Sequence, residues 1–144
     1  MFAFTRWENE SPTDAERAKR TIVDTYDIAG RRERRALGTD GPVYTWAYDA
    51  KDRITGYGDP TGVREVTYDD EDQITKVVRK EAGDRTETFT YGYDIRGNVT
   101  TRSYPDGTAV TADYDADSRL TELTVGGGSA GPDPATWKFG FGSC

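Results

Sequence analysis

Histidine is missing from these 144 residues, and cysteine and methionine occur once each. Without His, Ser-His-Asp and Cys-His pairs are excluded from this chain, as is any His-ligated metal. Cys144, at the last position, has no partner for an internal disulfide. Hydrophobic residues supply only 34% and mean hydropathy is −0.83, poor material for one deep core. No run approaches the ~20 apolar residues that a membrane-spanning helix needs. The opening Met1-Phe2-Ala3-Phe4-Thr5-Arg6 has neither a basic n-region nor a continuous apolar h-region, so no signal peptide is expected in this chain. Excess positive charge is lacking too. The net charge is −7, which leaves no electrostatic footprint for nucleic acid or an anionic membrane. The one basic cluster, Arg31, Arg32, Arg34 and Arg35, is expected to be a solvated strand face, because a phosphate site would want more basic company.

What is present points to strands and turns. Aromatics reach 12%, with nine Tyr, three Trp and five Phe, which a disordered chain would not carry. Thr, Tyr, Val and Gly are prominent, and no long apolar helix stripe appears. Internal self-similarity is the decisive feature. A Tyr-Asp pair recurs at Tyr26-Asp27, Tyr48-Asp49, Tyr68-Asp69, Tyr93-Asp94 and Tyr114-Asp115, at spacings of 22, 20, 25 and 21 residues. The shared form is Tyr-Asp-x-x-[Gly/Asp/Ser]-[Arg/Gln/Asn]-[Ile/Val/Leu]-Thr, clean in four copies and degenerate in the first.

The residue types dictate one unit. Before each pair the side chains alternate as in a half-buried strand: Tyr44, Trp46 and Tyr48 share a face, as do Phe89, Tyr91 and Tyr93, and Val110, Ala112 and Tyr114. The Asp starts a turn, since its carboxylate accepts backbone N–H groups a few residues on. Gly30 and Gly97, with Asp52, Asp72 and Ser118 at the equivalent place, suit a position where φ turns positive. An aliphatic residue and Thr then launch the return strand. A second class of turn, at Asp40-Gly41-Pro42, Asp59-Pro60-Thr61-Gly62, Ala82-Gly83-Asp84 and Pro105-Asp106-Gly107, joins successive units. The expected fold is all-β: tandem antiparallel hairpins in one extended, twisted sheet.

The expected organisation runs as follows. Residues 1–20 form an N-terminal strand and loop, with Phe2 and Phe4 pairing toward Ile22 to Tyr26. Thr13 and Glu16 resemble a capping box that would start a short helix there. Residues 21–125 are the hairpin repeats and 126–136 a Gly/Pro-rich linker. Residues 137–144, with Trp137, Phe139 and Phe141 alternating, are a degenerate or truncated further repeat.

These motifs resemble the Rhs/YD-repeat family of bacterial Rhs polymorphic-toxin proteins, wall-associated repeat proteins, insecticidal toxin-complex components and teneurins. The resemblance covers about residues 21–125 and implies a hollow β-shell built from many hairpins. Such a shell encloses a C-terminal toxin in the bacterial members or forms an adhesion scaffold in teneurins. It further implies a secreted or cell-surface parent, with neighbouring YD repeats or an effector domain as partners. Five repeats are too few to close a cage, so the chain is expected to be an arc of a larger shell. Asp59-Pro60-Thr61-Gly62 matches the family's shell-closing DPxG in letters but occupies an inter-repeat turn, where those residues are ordinary turn chemistry.

No catalytic residue, cofactor or metal ligand is assigned, and the chain is not expected to be an enzyme. Asp113, Asp115 and Asp117 open like a calcium loop, but Ser118 and Thr124 stand where Gly and Glu are required. They and the Asp69-Asp70-Glu71-Asp72 cluster read as solvated turn carboxylates. Tyr26, Asp27, Gly30, Tyr48, Asp49, Tyr68, Asp69, Tyr93, Asp94, Gly97, Tyr114 and Asp115 are assigned as structural repeat-motif residues. The expected function is a scaffold or encapsulating shell segment serving delivery of a toxin or effector. The alternatives are an adhesion or carbohydrate-binding segment using the Tyr and Trp rows, with glycans as partners, and a hydrolase whose site the sequence does not disclose.

Overall fold

The computed structural model describes residues 13–128 and 133–140. A helix and eleven strands follow in chain order: α1 (Asp14–Arg20), β1 (Ile22–Tyr26), β2 (Arg32–Leu37), β3 (Val43–Tyr48), β4 (Ile54–Asp59), β5 (Gly62–Tyr68), β6 (Ile74–Glu81), β7 (Thr86–Tyr93), β8 (Val99–Ser103), β9 (Ala109–Tyr114), β10 (Leu120–Gly126) and β11 (Ala135–Lys138). All eleven strands lie in one sheet in sequence order, each antiparallel to the next. The meander needs no crossover, as two alternating classes of short turn require. The expected strand at Phe2 and Phe4, Phe141 and Cys144 lie outside the described residues.

The helix follows from its first turn. The Thr13 hydroxyl accepts the Glu16 N–H at 3.2 Å, and the Glu16 carboxylate accepts the Thr13 N–H at 2.7 Å. It buries no residue.

Each hairpin carries a feature that the alternation did not reveal. In every unit the pairing slips by one residue just after the motif turn. Tyr48 pairs with Ile54 but Ala47 with Gly56, leaving Thr55 unopposed. The same holds at Thr75, Thr100 and Thr121, with Glu33 in the first unit. The motif Thr is therefore the extra residue of a β-bulge. Thr75 and Thr121 donate their hydroxyls back to the Thr67 and Asp113 carbonyls at 3.3 and 3.0 Å.

The sheet is a single layer, and that governs its energetics. Among the described residues the only buried hydrophobic side chains are Ala36 and Ala112, at 9% and 8% exposure. One face carries half-buried side chains: Trp46, Tyr57, Val66 and Val77 on β3 to β6, Phe89 and Tyr91 on β7, and Leu123 on β10. Trp46 meets Tyr57 edge-on at 5.9 Å between centroids, and the Arg32 guanidinium lies 5.6 Å over its ring. The other face is small and polar. Thr101, Thr111, Thr124 and Thr136 oppose one another across four strands, and Gly56, Gly58 and Gly92 stand opposite Ala47, Thr45 and Thr101.

The expectation of a solvated arginine face at residues 31–35 is corrected. Arg35 grips Asp24 through two bonds of 2.8 and 2.7 Å, Arg32 lies 3.5 Å from the same carboxylate, and Arg31 enters the turn contacts described below. Only Glu33 and Arg34 of this stretch are exposed. The arginines turn inward because Asp24 sits directly across from Arg35.

Half-burial sets the cost of truncation. Trp46→Ala is expected to lower stability by about 1–2 kcal/mol, below the ~3–5 kcal/mol of a fully buried aromatic. Urea unfolding of the two proteins measures it. A cost at the fully buried value would mean that the face is covered in solution.

Candidate functional site: the Tyr-Asp turn edge

The motif turns line one edge of the sheet, and all five strands that approach it end on the motif Tyr: Tyr26, Tyr48, Tyr68, Tyr93 and Tyr114. The turns share one geometry. Asp49 illustrates it: its N–H donates to the Arg53 carbonyl at 3.0 Å, its carbonyl accepts the Asp52 N–H at 3.2 Å, and its Oδ1 accepts the N–H groups of Lys51 and Arg53 at 2.8 and 3.0 Å. Asp27, Asp69, Asp94 and Asp115 repeat every one of these contacts. The fourth turn residue is left-handed in each: Gly30 at φ 81°, Asp52 at 63°, Asp72 at 66°, Gly97 at 84° and Ser118 at 60°. Gly removes the Cβ penalty there, whereas Asp and Ser accept the strain and add a side chain.

Contacts between units give those side chains a use. Adjacent hairpins stop pairing before they reach this edge. The last pairs are Arg34 with Thr45, Gly56 with Glu65, Lys76 with Thr90, and Thr101 with Thr111, so three residues of each incoming strand diverge from the hairpin before it. The motif Tyr bridges the resulting wedge. The hydroxyls of Tyr48, Tyr68, Tyr93 and Tyr114 donate to the carbonyls of Arg32, Ile54, Ile74 and Val99 of the preceding hairpin, at 3.0, 2.8, 2.7 and 3.1 Å.

Arginine reaches the other way. Arg53 donates Nε to its own Asp49 at 2.7 Å, then extends Nη1 to the next turn, to the Asp69 carbonyl at 3.1 Å and Asp72 Oδ1 at 2.5 Å. Its guanidinium stacks 4.4 Å over Tyr68. Arg31 does the same to Asp27, the Asp49 carbonyl, Asp52 and the Tyr48 ring, the last at 4.8 Å. Asn98 is too short to copy this in full. It bonds Asp94 and Ser118 Oγ, and Arg96 reaches the Asp115 and Ala116 carbonyls in its stead.

The electrostatics follow from these contacts. The Arg31 N–H and then its guanidinium hold the Asp27 carboxyl below its ordinary value. Burial pushes Asp49 up, but the Arg53 guanidinium and the N–H groups of Arg53 and Lys51 outweigh it. The Asn98 amide lowers Asp94, and the Arg119 N–H lowers Asp115. On the opposite edge Asp59, in the Asp-Pro-Thr-Gly turn, falls to about 2, held by the Thr61 hydroxyl and N–H and by Arg64. The motif carboxylates Asp27, Asp49, Asp94 and Asp115 are satisfied within their own turns, Asp72 is held by Lys51 and Arg53 of the preceding turn, and Asp115 and Asp117 are bridged by Arg119. This edge binds itself together. No group of three or more His, Cys, Asp or Glu side chains that could hold a metal ion occurs among the described residues.

Acid should loosen it. Because folding lowers these carboxyl pKa values, their contribution is complete above the ordinary value of 3.8 and is lost as pH falls through the folded values toward about 2. The melting temperature should be flat from about pH 7 to about pH 5 and then fall. Added salt should flatten the fall, since these pairs face solvent. A melting temperature that rises on acidification would contradict the turn chemistry.

Residues 68–109, which include the third and fourth motif turns, match the RHS Repeat family model. No curated protein matches the chain. Among solved structures, that of TcdB2-TccC3-Cdc42 is similar over 81% of this chain, with a TM-score of 0.62 at 15% identity. That of TcdB2-TccC3-TEV is similar over 78%, with a TM-score of 0.44 at 14% identity. The chain spans only 7% and 8% of those longer chains, and its likeness to the first is one of fold. The stretch that matches the RHS Repeat model is flanked on both sides by copies of the same Tyr-Asp turn.

Proposed function

We propose that this chain is an arc of a larger Rhs-type shell, in a secreted or cell-surface parent, that encloses an effector or toxin. The carrying observation is the single-layer sheet with one aromatic face half-buried and nothing packed on it among the described residues. Domains normally bury such a face against a second layer. In a closed wall the second layer is the enclosed space or its contents, and stability comes from neighbours along the sheet. The twelve motif residues are then structural: Tyr and Asp interlock the units, and the left-handed Gly lets each turn close. On this reading 21–125 is the repeat array and 126–136 a link. Residues 137–144 are the remains of a further repeat, in keeping with the pairing of Trp137 to Leu123. No role in catalysis is proposed.

A glycan platform would need an open ring face, and Trp46 instead has Arg32 over its ring and Tyr57 at its edge. That arrangement favours packing over sugar binding.

The test uses the full parent protein with Cys144→Ser as background. Single cysteines at Val66, on the aromatic face, and at Thr67, on the other, are labelled with a small and with a bulky polymer-linked maleimide. The expected result is that both reagents reach position 67 and that the bulky one fails at position 66. Equal labelling of both positions by the bulky reagent would overturn the shell reading.

A further inference from the structure

A cationic side chain crosses every described seam between motif turns but one. Between the third and fourth turns, Gln73 stands where Arg31 and Arg53 stand in the first two units, and Glu71 stands where Lys51 and Arg96 stand in the second and fourth. Both cation positions of this unit are thus filled by uncharged or acidic residues. The Gln73 N–H joins the Asp69 turn at 2.8 Å, and its side-chain amide extends alongside Gly97 of the next turn, its nitrogen 3.3 Å from where a Cβ there would stand, but it brings no charge to the seam and Gly97 offers it no side-chain acceptor. A cavity of about 390 Å³ opens at this seam, lined by Asp69, Glu71, Gln73, Tyr91, Tyr93 and Asp94 among others.

The geometry points to this cavity as a docking slot for a guanidinium group, an arginine side chain from another polypeptide segment. The chain itself supplies the template. Where the slot is filled, a guanidinium bonds the turn Asp Oδ2, bonds the backbone carbonyl of the next turn's Asp and stacks on the next motif Tyr, at 4.8 Å over Tyr48 and 4.4 Å over Tyr68. At the third seam the equivalent groups belong to Asp69, Asp94 and Tyr93, and all three residues line the cavity. Glu71 adds a second carboxylate, so the local run Asp69-Asp70-Glu71-Asp72 is negative at every position. Ile95, fully exposed at 103%, presents apolar surface to the methylenes of an incoming arginine. A planar fork-shaped cation satisfies one carboxylate and one carbonyl while lying on a ring, which a compact ammonium or a divalent ion does not.

N-acetyl-arginine amide, titrated into the 144-residue chain and followed by amide NMR, tests the slot. Saturable shifts are expected at Gln73, Gly92, Ile95 and Gly97, with the lysine analogue binding more weakly. Gln73→Arg fills the slot from within, and Glu71→Lys places a cation at the Lys51 position. Each is expected to weaken the response by about 10-fold or more. Glu71→Lys alone decides the matter if Gln73→Arg loses its dispersed spectrum. The inference is overturned if wild type shows no saturable shift, if the shifts survive in both variants, or if the other acidic turns respond equally. It is also overturned if calcium gives the same shifts at lower concentration than the arginine probe.

Discussion

The Tyr-Asp edge of the sheet answers to one constraint: adjacent hairpins part company before they reach the turns. An unfilled wedge there would leave backbone carbonyls without donors and let the units hinge about their remaining pairs. The motif fills it from both sides. A tyrosine from the following unit donates to a carbonyl of the preceding one, and an arginine from the preceding unit lies on that tyrosine and bonds the following turn. These contacts join residues 14 to 21 positions apart, so each unit needs its neighbour. This explains why the same few residues recur at one position per hairpin while the rest of the strand varies.

The bulge belongs to the same design. Inserting the motif Thr places Ile54 and Tyr57 opposite Tyr48 and Trp46, three residues apart on one strand yet facing two residues apart on the other. The return strand thus keeps its larger side chains on the aromatic face while bending away toward the wedge. A single layer with two buried alanines has little hydrophobic stabilisation to draw on. Turn hydrogen bonds, ion pairs and ring contacts carry a larger share than they would in a two-layered domain.

Much of this was legible in the sequence because the relevant physics is local. The turn Asp, the left-handed fourth position and the alternation ending on Tyr all act within a few residues, and the structure has them at the expected numbers. The Thr13–Glu16 capping box was readable for the same reason. The bulge was not read, although a signal existed: Ile54 to Tyr57, Ile74 to Val77 and Leu120 to Leu123 step by three where alternation steps by two. The reach of Arg31 and Arg53 was invisible because it depends on which turn lies alongside. The arginines at 32 and 35 misled for that reason too, since only the register shows Asp24 across from Arg35. The break at Gln73 shows only once the other seams reveal what an intact one contains.

The interlock is tested most directly by a double-mutant cycle across the second seam, with Arg53→Ala and Tyr68→Phe singly and together, read by urea unfolding. Arg53 and Tyr68 meet in one wedge: the guanidinium stacks on the ring and donates to the Asp69 carbonyl, and the Tyr68 hydroxyl donates to the Ile54 carbonyl. If that wedge holds the hairpins together, each single change lowers stability, and the pair costs clearly less than the sum of the two, because either loss already opens the seam. Strictly additive losses would show that the two residues act independently, and the interlock would not be what joins the units.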